Sequence, residues 1–453
     1  MRFSIGKKLW SSAKDEQGAG TFFALSFAFI CIAVGGLAVD ASNVFSVKQR
    51  LQSSADIAAH AAAIQLASPD TFPGQSVSDV AIEMLLVNMP ESKFGVALAE
   101  SDVVLGYWNS ATSSVVESNA GGSMDRAVSI TARLDGNVGN VVPTFLLKLV
   151  GFNYWEVSTT SVFVRGTSDC FNGGFIAGGQ VDVSSNNSFV NGFCIHGNEG
   201  VDVNSRILFG TGVHVSMPNS ALSSDGGMFY LRGTGHTWED GMENQVSDAW
   251  LEPQLASVAG ITEILAALAD PSDADQPDYI TNGSVNNITV RANAPLQIGD
   301  LDTNAINIID CPQRGLDFPD NEDIANVVII ADCKVNFGQN SMVTNAIIAT
   351  TNTSNQSLNA AASLQLGLDD SCADGGGVTL ITLGDAHFSA QTEWYGAEVI
   401  ANGDVHISAN ADGIEGVSIQ AAGDIKATSN LGMGLCNSGV DHYKEQYQVR
   451  MVY

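Results

Sequence analysis

The residues best placed to do chemistry are two histidines, His387 and His406, which follow Asp385 and Asp404 at the same offset. If their segments stack as strands about 4.8 Å apart, two imidazoles and two carboxylates meet on one face, a donor set a transition metal could use. The plainer reading is a surface ladder, in which His387, His406 and Lys426 relieve repulsion among Asp385, Asp404 and Asp424. We adopt it and assign no metal. Acidic clusters at Asp270–Asp278, Asp317–Asp323 and Asp369–Asp374 offer oxygen ligands of the kind calcium takes. Their spacing fits neither an EF-hand nor a calcium-binding nonapeptide. They read as ordinary acidic loops, with calcium the one cofactor they could hold. The chain has no P-loop, GxSxG, HExxH or GxGxxG after a strand. No catalytic residue is assigned, and the chain is not read as an enzyme.

Charge narrows the partners. Of 453 residues, 19 are basic and 49 acidic, a net charge of −30. Residues 1–165 carry a net −3 and residues 166–453 a net −27, so two unlike regions are joined. A nucleic-acid binder needs a basic footprint, which is missing. A polysaccharide-cleaving enzyme needs carboxylates and basic groups converging on one face, and the second region has only eight Lys and Arg.

The elements that must hold these residues repeat. VTLITLGDAHFSA from Val378, AEVIANGDVHISA from Ala397 and VSIQAAGDIKATS from Val417 align on Gly384, Gly403 and Gly423. Val181-Asp-Val183 is echoed by Val201-Asp-Val203. Within each segment apolar residues alternate with polar ones: Ala386 and Phe388, Val405 and Ile407, Ile425 and Ala427 face one way. A unit of about 20 residues with Gly and Asn corners predicts an all-β parallel β-helix, or solenoid, over 167–453. A β-sandwich is the alternative. Pro218–Asp278 does not fit the repeat and reads as an insertion, with a helix at Leu251–Ala269.

Cys31 lies in an apolar run, leaving Cys170, Cys194, Cys311, Cys333, Cys372 and Cys436, an even set that suggests disulfides. Adjacent coils of a β-helix lie within disulfide reach, which predicts Cys170–Cys194 and Cys311–Cys333. Cys372–Cys436 would need a loop or cap to meet.

At the N-terminus, Gly18–Val39 is 22 residues without a charge. As a helix it spans about 33 Å, enough to cross a bilayer. Arg2, Lys7, Lys8 and Lys14 precede it, so the positive-inside bias keeps 1–17 in the cytoplasm and exports the rest. Val44, Val47, Leu51, Ala55, Ala58, Ala62 and Leu66 continue one apolar stripe, predicting a helical stalk over 40–67, ended by Pro69. Residues 68–166 read as a small α+β domain. It comprises a helix Ser76–Met89 capped by Ser78, strands at Asp102–Trp108, Ser114–Ser118, Ala127–Leu134 and Trp155–Arg165, a Gly121-Gly122 turn and a short helix Val141–Val150. A long helix before a small sheet has a pilin-like outline.

The stretch QGAGTFFALSFAFICIAVGGLAVDASNVFSVKQRLQSSADIAAHAAA resembles the N-terminal region of TadG-like proteins of the tight-adherence (Flp) pilus assembly system. The matching residues are Gly18 and Gly20 at its start, Gly36 to Asp40 at the exit of the apolar run, and Leu51, Gln52 and Asp56. The resemblance covers about 50 residues. It implies a single-pass protein of the bacterial inner membrane whose bulk is periplasmic or extracellular. Its partners would be that membrane and other pilus-assembly proteins. The role implied is structural, in surface attachment. A surface adhesin contacting polysaccharide and a polysaccharide-active β-helix enzyme are the alternatives. Phe23 stands where a prepilin cleavage site wants Glu, and Asp182-Val-Ser184-Ser-Asn186 departs from the metal motif of a von Willebrand A domain.

Overall fold

The computed structural model describes residues 17–67, 71–109, 111–117, 125–137, 139–166, 170, 173–251, 253–273, 276–291, 296–312, 314–371, 373, 375–408, 414–428, 432–436 and 448–452. The expected cytoplasmic tail up to residue 16, Pro69, the expected Gly121-Gly122 turn, Cys372 and Asp374 lie outside the described residues. The chain forms two compact units, 1–166 together with 447–453, and 167–446.

The first unit is built on one helix, α1 (Gln17–Ala67), of 51 residues. Helix geometry makes it about 75 Å long. Its apolar first part is exposed: Phe22, Phe23, Leu25, Phe27 and Val39 face outward. From Leu51 onward the stripe turns inward. Leu51, Ala55, Ala58, Ala59, Ala62 and Ala63 are buried against the unit's own sheet. Small side chains let the helix lie close to the strands, so the stripe is used within the chain. The sheet is antiparallel, in the order 114–116, 103–109, 126–134, 157–166, 448–451. The last strand, Gln448–Met451, was expected in the C-terminal region; it pairs instead with Val157–Gly166. The second unit is therefore an insertion between two neighbouring strands of the first.

Two local expectations are corrected. The cap of α2 (Val77–Asn88) is Ser76, not Ser78: the Ser76 hydroxyl accepts from the Asp79 amide at 3.1 Å, and the Asp79 carboxylate accepts from the Ser76 amide. Residues 141–150 are not one helix. Val142–Pro143 pairs with Tyr154–Trp155, and only Leu147–Val150 turns, as a 3-10 helix. Pro143 biases Val142 to extended backbone and so starts a hairpin rather than a helix.

Among the described residues the second unit is β-rich, with one sheet of 16 strands and one of nine, and every pairing in it is parallel. Asn307, Ile329, Ile348, Leu380, Val399 and Ile419 stack in register, each one layer from the next. The ladder then does what the sequence order does not suggest. Ile419 pairs with Phe175, and the stack runs on through Ile195, Val215 and Val246. The last layer thus lies on the first. The chain starts mid-stack, winds to one end at Asp248, returns to the other end near Val285, and winds back to the middle. The first and last described strands of the unit, Gly174–Ala177 and Gly432–Gly434, belong to neighbouring layers, which suits an insertion.

The expected insertion 218–278 shrinks accordingly. Phe229–Leu231, Thr237–Trp238 and Val246–Asp248 keep the register of the strands before them, at longer steps. The non-repeating part is the return segment, 249–284. Its helix is Val258–Leu268 rather than Leu251–Ala269. Pro253 disfavours helix before it, and the Ser257 hydroxyl caps from the Gly260 amide at 3.0 Å. This helix covers the outer face of the larger sheet. Ile261, Ile264 and Leu268 pack on Ile306, Val328, Ile347, Ile381 and Ile400. The strands beneath are buried on both faces, which explains continuous apolar runs such as Val327–Ala331.

Candidate functional site

The TadG-like motif residues on α1 act where the exposed run meets the folded part of the first unit. Gly36 and Asp40 are one turn apart and share a face. The Asp40 carboxylate accepts from the backbone amides of Phe145, Leu146 and Leu147 at 2.8, 3.1 and 2.7 Å. It thereby caps the 3-10 turn Leu147–Val150, whose first amides have no partner of their own. Gly36 makes room: a Cβ there would stand 2.8 Å from the Leu146 Cβ. Further along, Leu51 is fully buried. Gln52 donates to Asp56 Oδ1 at 2.8 Å and accepts from the Thr159 hydroxyl, tying helix to sheet. Gly18 lies in α1 and Gly20 has open space around it. The motif is thus a docking device between a helix and its sheet.

The Gly-Asp repeat of the second unit is also explained by geometry. Asp385 Oδ1 accepts from the Asp404 amide at 3.0 Å, and Asp404 Oδ1 from the Asp424 amide at 2.8 Å. Asp424 Oδ1 accepts from the Gln180 amide in the first layer at 2.9 Å. Each carboxylate lies over the glycine of the next layer. A Cβ on Gly403, Gly423 or Gly179 would stand 2.0, 2.2 or 2.3 Å from that oxygen. The fourth layer carries Gln180 in place of Asp, so the sequence echo did not show the third step. His387 and His406 stack with centroids 4.5 Å apart. Burial and the neighbouring His406 lower the His387 pKa, against Asp385 and Asp404. Lys426 lies 3.5 Å from Asp424. These carboxylates are engaged in stacking layers, the arrangement of a structural ladder.

Comparison with known proteins gives two matches. Residues 18–65 match the Flp pilus-assembly TadE/G-like family. Residues 174–437 match a family described as a domain of unknown function, DUF7867, over more than half of the chain. The chain belongs to the DUF7867 family. No curated protein and no solved structure matches it. The TadE/G-like segment is α1 almost alone, while the DUF7867 region opens at the first parallel strand, Gly174–Ala177, and closes just after the last, Gly432–Gly434.

Two disulfides of the second unit link neighbouring layers. Cys170 and Cys194 have Cα atoms 4.9 Å apart, and Cys311 and Cys333 5.7 Å. Cys436 is also disulfide-bonded; its expected partner, Cys372, lies outside the described residues. Cys31 is free and exposed on the apolar run. Among the described residues, Cys311, Asp332 and Cys333 form the one cluster of metal-type donors, and the disulfide occupies both sulfurs.

The acidic loops make turns. Asp317 accepts from Asn336 at 2.7 Å and from Arg314, and Asp320 accepts from the Gln339 amide at 2.7 Å. Asp270 accepts from the Ser272 hydroxyl and amide, which lower its pKa. Asp370 accepts from the Ala373 amide at 2.9 Å.

One buried polar group escaped the sequence reading. His196 is fully buried on the outer face of the larger sheet, bonded to Ser216 Oγ at 2.8 Å and Asn198 Oδ1 at 2.9 Å. Asn198 donates to the Leu251 carbonyl at 2.7 Å and accepts from the Leu251 amide. The pair pins the start of the return segment. A proton on Nε2, with Ser216 donating to Nδ1, satisfies every group. Burial lowers the His196 pKa to about 4, beyond what Asn198 restores, so the ring is neutral.

Proposed function

We propose that this protein is a membrane-anchored, non-catalytic component of tight-adherence pilus assembly, with a structural role in surface attachment. The observation that carries the reading is the TadE/G-like segment, whose Gly36, Asp40, Leu51 and Gln52 hold a pilin-like unit against a helix that emerges from an exposed apolar run. In this reading α1 crosses the inner membrane once, with its N-terminus cytoplasmic and the DUF7867 region periplasmic or extracellular. The parallel ladders of that region form a β-helix, in support of which the register steps by similar lengths from layer to layer. Its partners are other pilus-assembly proteins. Deletion of the gene should reduce pili and surface attachment without loss of a degradative activity. Unchanged piliation with lost polysaccharide hydrolysis would reject the reading. Reporter fusions after Asp40 and after Tyr453 should both report export.

A further inference from the structure

The hairpin docked on Asp40 carries an unusual surface. Within ten residues, Phe145, Leu146, Leu149, Val150, Phe152 and Tyr154 are all exposed large apolar side chains, the most open being Leu149 at 66%. Scattered surface hydrophobics are ordinary, but a contiguous cluster marks an interaction surface. Its position says which one. Leu146 meets α1 at Gly36, three residues inside the end of the apolar run at Val39. At 1.5 Å per residue that is about 4–5 Å below the run's end. The cluster therefore continues the exposed apolar girth of α1 sideways at the depth where acyl chains meet headgroups. Lys48, eight residues above Asp40 on α1, lies about 12 Å higher. There it lines a groove of about 420 Å³ with Phe45, Trp155 and Glu156. The groove is mostly apolar but brings the charges of Lys48 and Glu156 to the outward side of the cluster.

We propose that residues 145–154 are a membrane-interfacial lip, inserted in the leaflet through which α1 leaves the bilayer. Apolar side chains that reach 5–10 Å into the headgroup boundary, with an aromatic at headgroup level, are how interfacial elements hold a lipid surface. Tyr154 and Trp155 supply the aromatic edge, and the exposed Lys148 supplies a cation for phosphate. The hydrogen bonds to Asp40 fix the lip to the helix, so that span and lip act as one two-point anchor. The anchored unit then cannot pivot freely on α1. A single helix would permit that pivot; a pilus-assembly part that must present a fixed face is better served without it.

The inference rests on α1 lying in a bilayer, and the experiment checks that separately. Full-length protein is reconstituted into phosphatidylcholine vesicles containing lipids brominated high on the acyl chain. A bimane label is placed on native Cys31. In a Cys31→Ser background the label is placed on Leu149→Cys, on Phe152→Cys, and on Thr112→Cys, exposed in the turn between strands 103–109 and 114–116 of the five-stranded sheet. Labels at 149 and 152 should be quenched at least twofold more by brominated lipid than the label at 112, and shielded from aqueous iodide. Adding Asp40→Asn should lower that quenching, which a label merely partitioning by itself would not do. Quenching at Cys31 with none at 149 or 152 rejects the lip and leaves the span. Protection of 149 from both lipid and iodide means protein covers it, which also rejects the lip. Absence of quenching at Cys31 removes the span and the lip together.

Discussion

The two units solve the same problem, holding a sheet together, by opposite means. In the first, each polar residue acts once. Asp40 caps one turn, Gln52 ties one strand and Ser76 starts one helix. In the second, a single device recurs on successive layers, where Asp385, Asp404 and Asp424 each hold the backbone of the next. The first unit's helix and sheet meet through small side chains in one place. The second buries its core between stacked parallel strands. It then closes between strands 244 residues apart, Phe175 on Ile419. Contacts of such separation require a large loop closure before they contribute. The difference implies that damage to the first unit stays local while damage at the second unit's seam spreads.

The largest expected effect tests that contrast. Phe175 is fully buried at the seam, edge-to-face with Phe193 at 5.0 Å. Phe175→Ala should cost about 3–5 kcal/mol. Hydrogen exchange should rise through strands on both sides of the seam, 174–217 and 378–434, while 126–134 in the first unit keeps its protection. Exchange that rises only beside residue 175 would refute spreading. Removing the Cys311–Cys333 link comes next, at about 3 kcal/mol for a loop of this size. Urea denaturation of Cys311→Ala/Cys333→Ala should move the second unit's transition alone.

pH offers a test without mutation. His196 has a folded pKa of about 4, below its unfolded value. Below about pH 6.5 the unfolded chain binds the proton and the folded chain does not, so stability falls with pH through that window and levels off near pH 4. The loss at full protonation is up to about 3 kcal/mol. A His196→Gln variant should flatten this limb relative to the parent, while the carboxylates titrate alike in both. Parallel pH profiles would show that His196 does not stay neutral. Smaller still is Gly403→Ala, about 1–3 kcal/mol for forcing a Cβ against the Asp385 carboxylate. Adding Asp385→Ala should recover part of that loss, measured as a double-mutant cycle in urea; strict additivity would mean that the two do not meet.

These same residues mark what the sequence could reveal. The echo of Gly384, Gly403 and Gly423 was legible because neighbouring layers impose the same demand every 19–20 residues. It stopped being legible at Gly179-Gln180, where the receiving layer needs only glycine and an amide. The seam itself left no local signal, because pairing across 244 residues leaves no periodicity. The covered outer face did leave one. Val327–Ala331 and Val399–Ala401 are apolar on both sides of the strand, which alternation alone does not explain. His196 and Asn198 are short polar residues in a Gly-rich stretch, and only the return segment's path shows that they are buried under Leu251. On α1, Gly36 and Asp40 were visible as a motif, but the turn they receive lies more than 100 residues away.

That distance makes Asp40 the sharpest small test of local damage in the first unit. Its two oxygens accept three amides, one from Phe145 and two from Leu146 and Leu147. Asparagine matches the shape but has one accepting oxygen, so either orientation of Asp40→Asn leaves at least one donor facing an amine. Charge-assisted bonds are also the stronger kind. In detergent solution, where no bilayer shields the hairpin, amide exchange at 145–147 should quicken about tenfold. The strand 126–134 and the whole second unit should stay unchanged, because the capped turn is held by this carboxylate and supports nothing beyond its own hairpin. Gly36→Leu should produce the same local loosening by a different route, pushing Leu146 off the helix while leaving the carboxylate intact. If both variants exchange at 145–147 as the parent does, the hairpin is held by something other than Gly36 and Asp40. If either also loosens the second unit, damage in the first unit is not local and the contrast between the two fails.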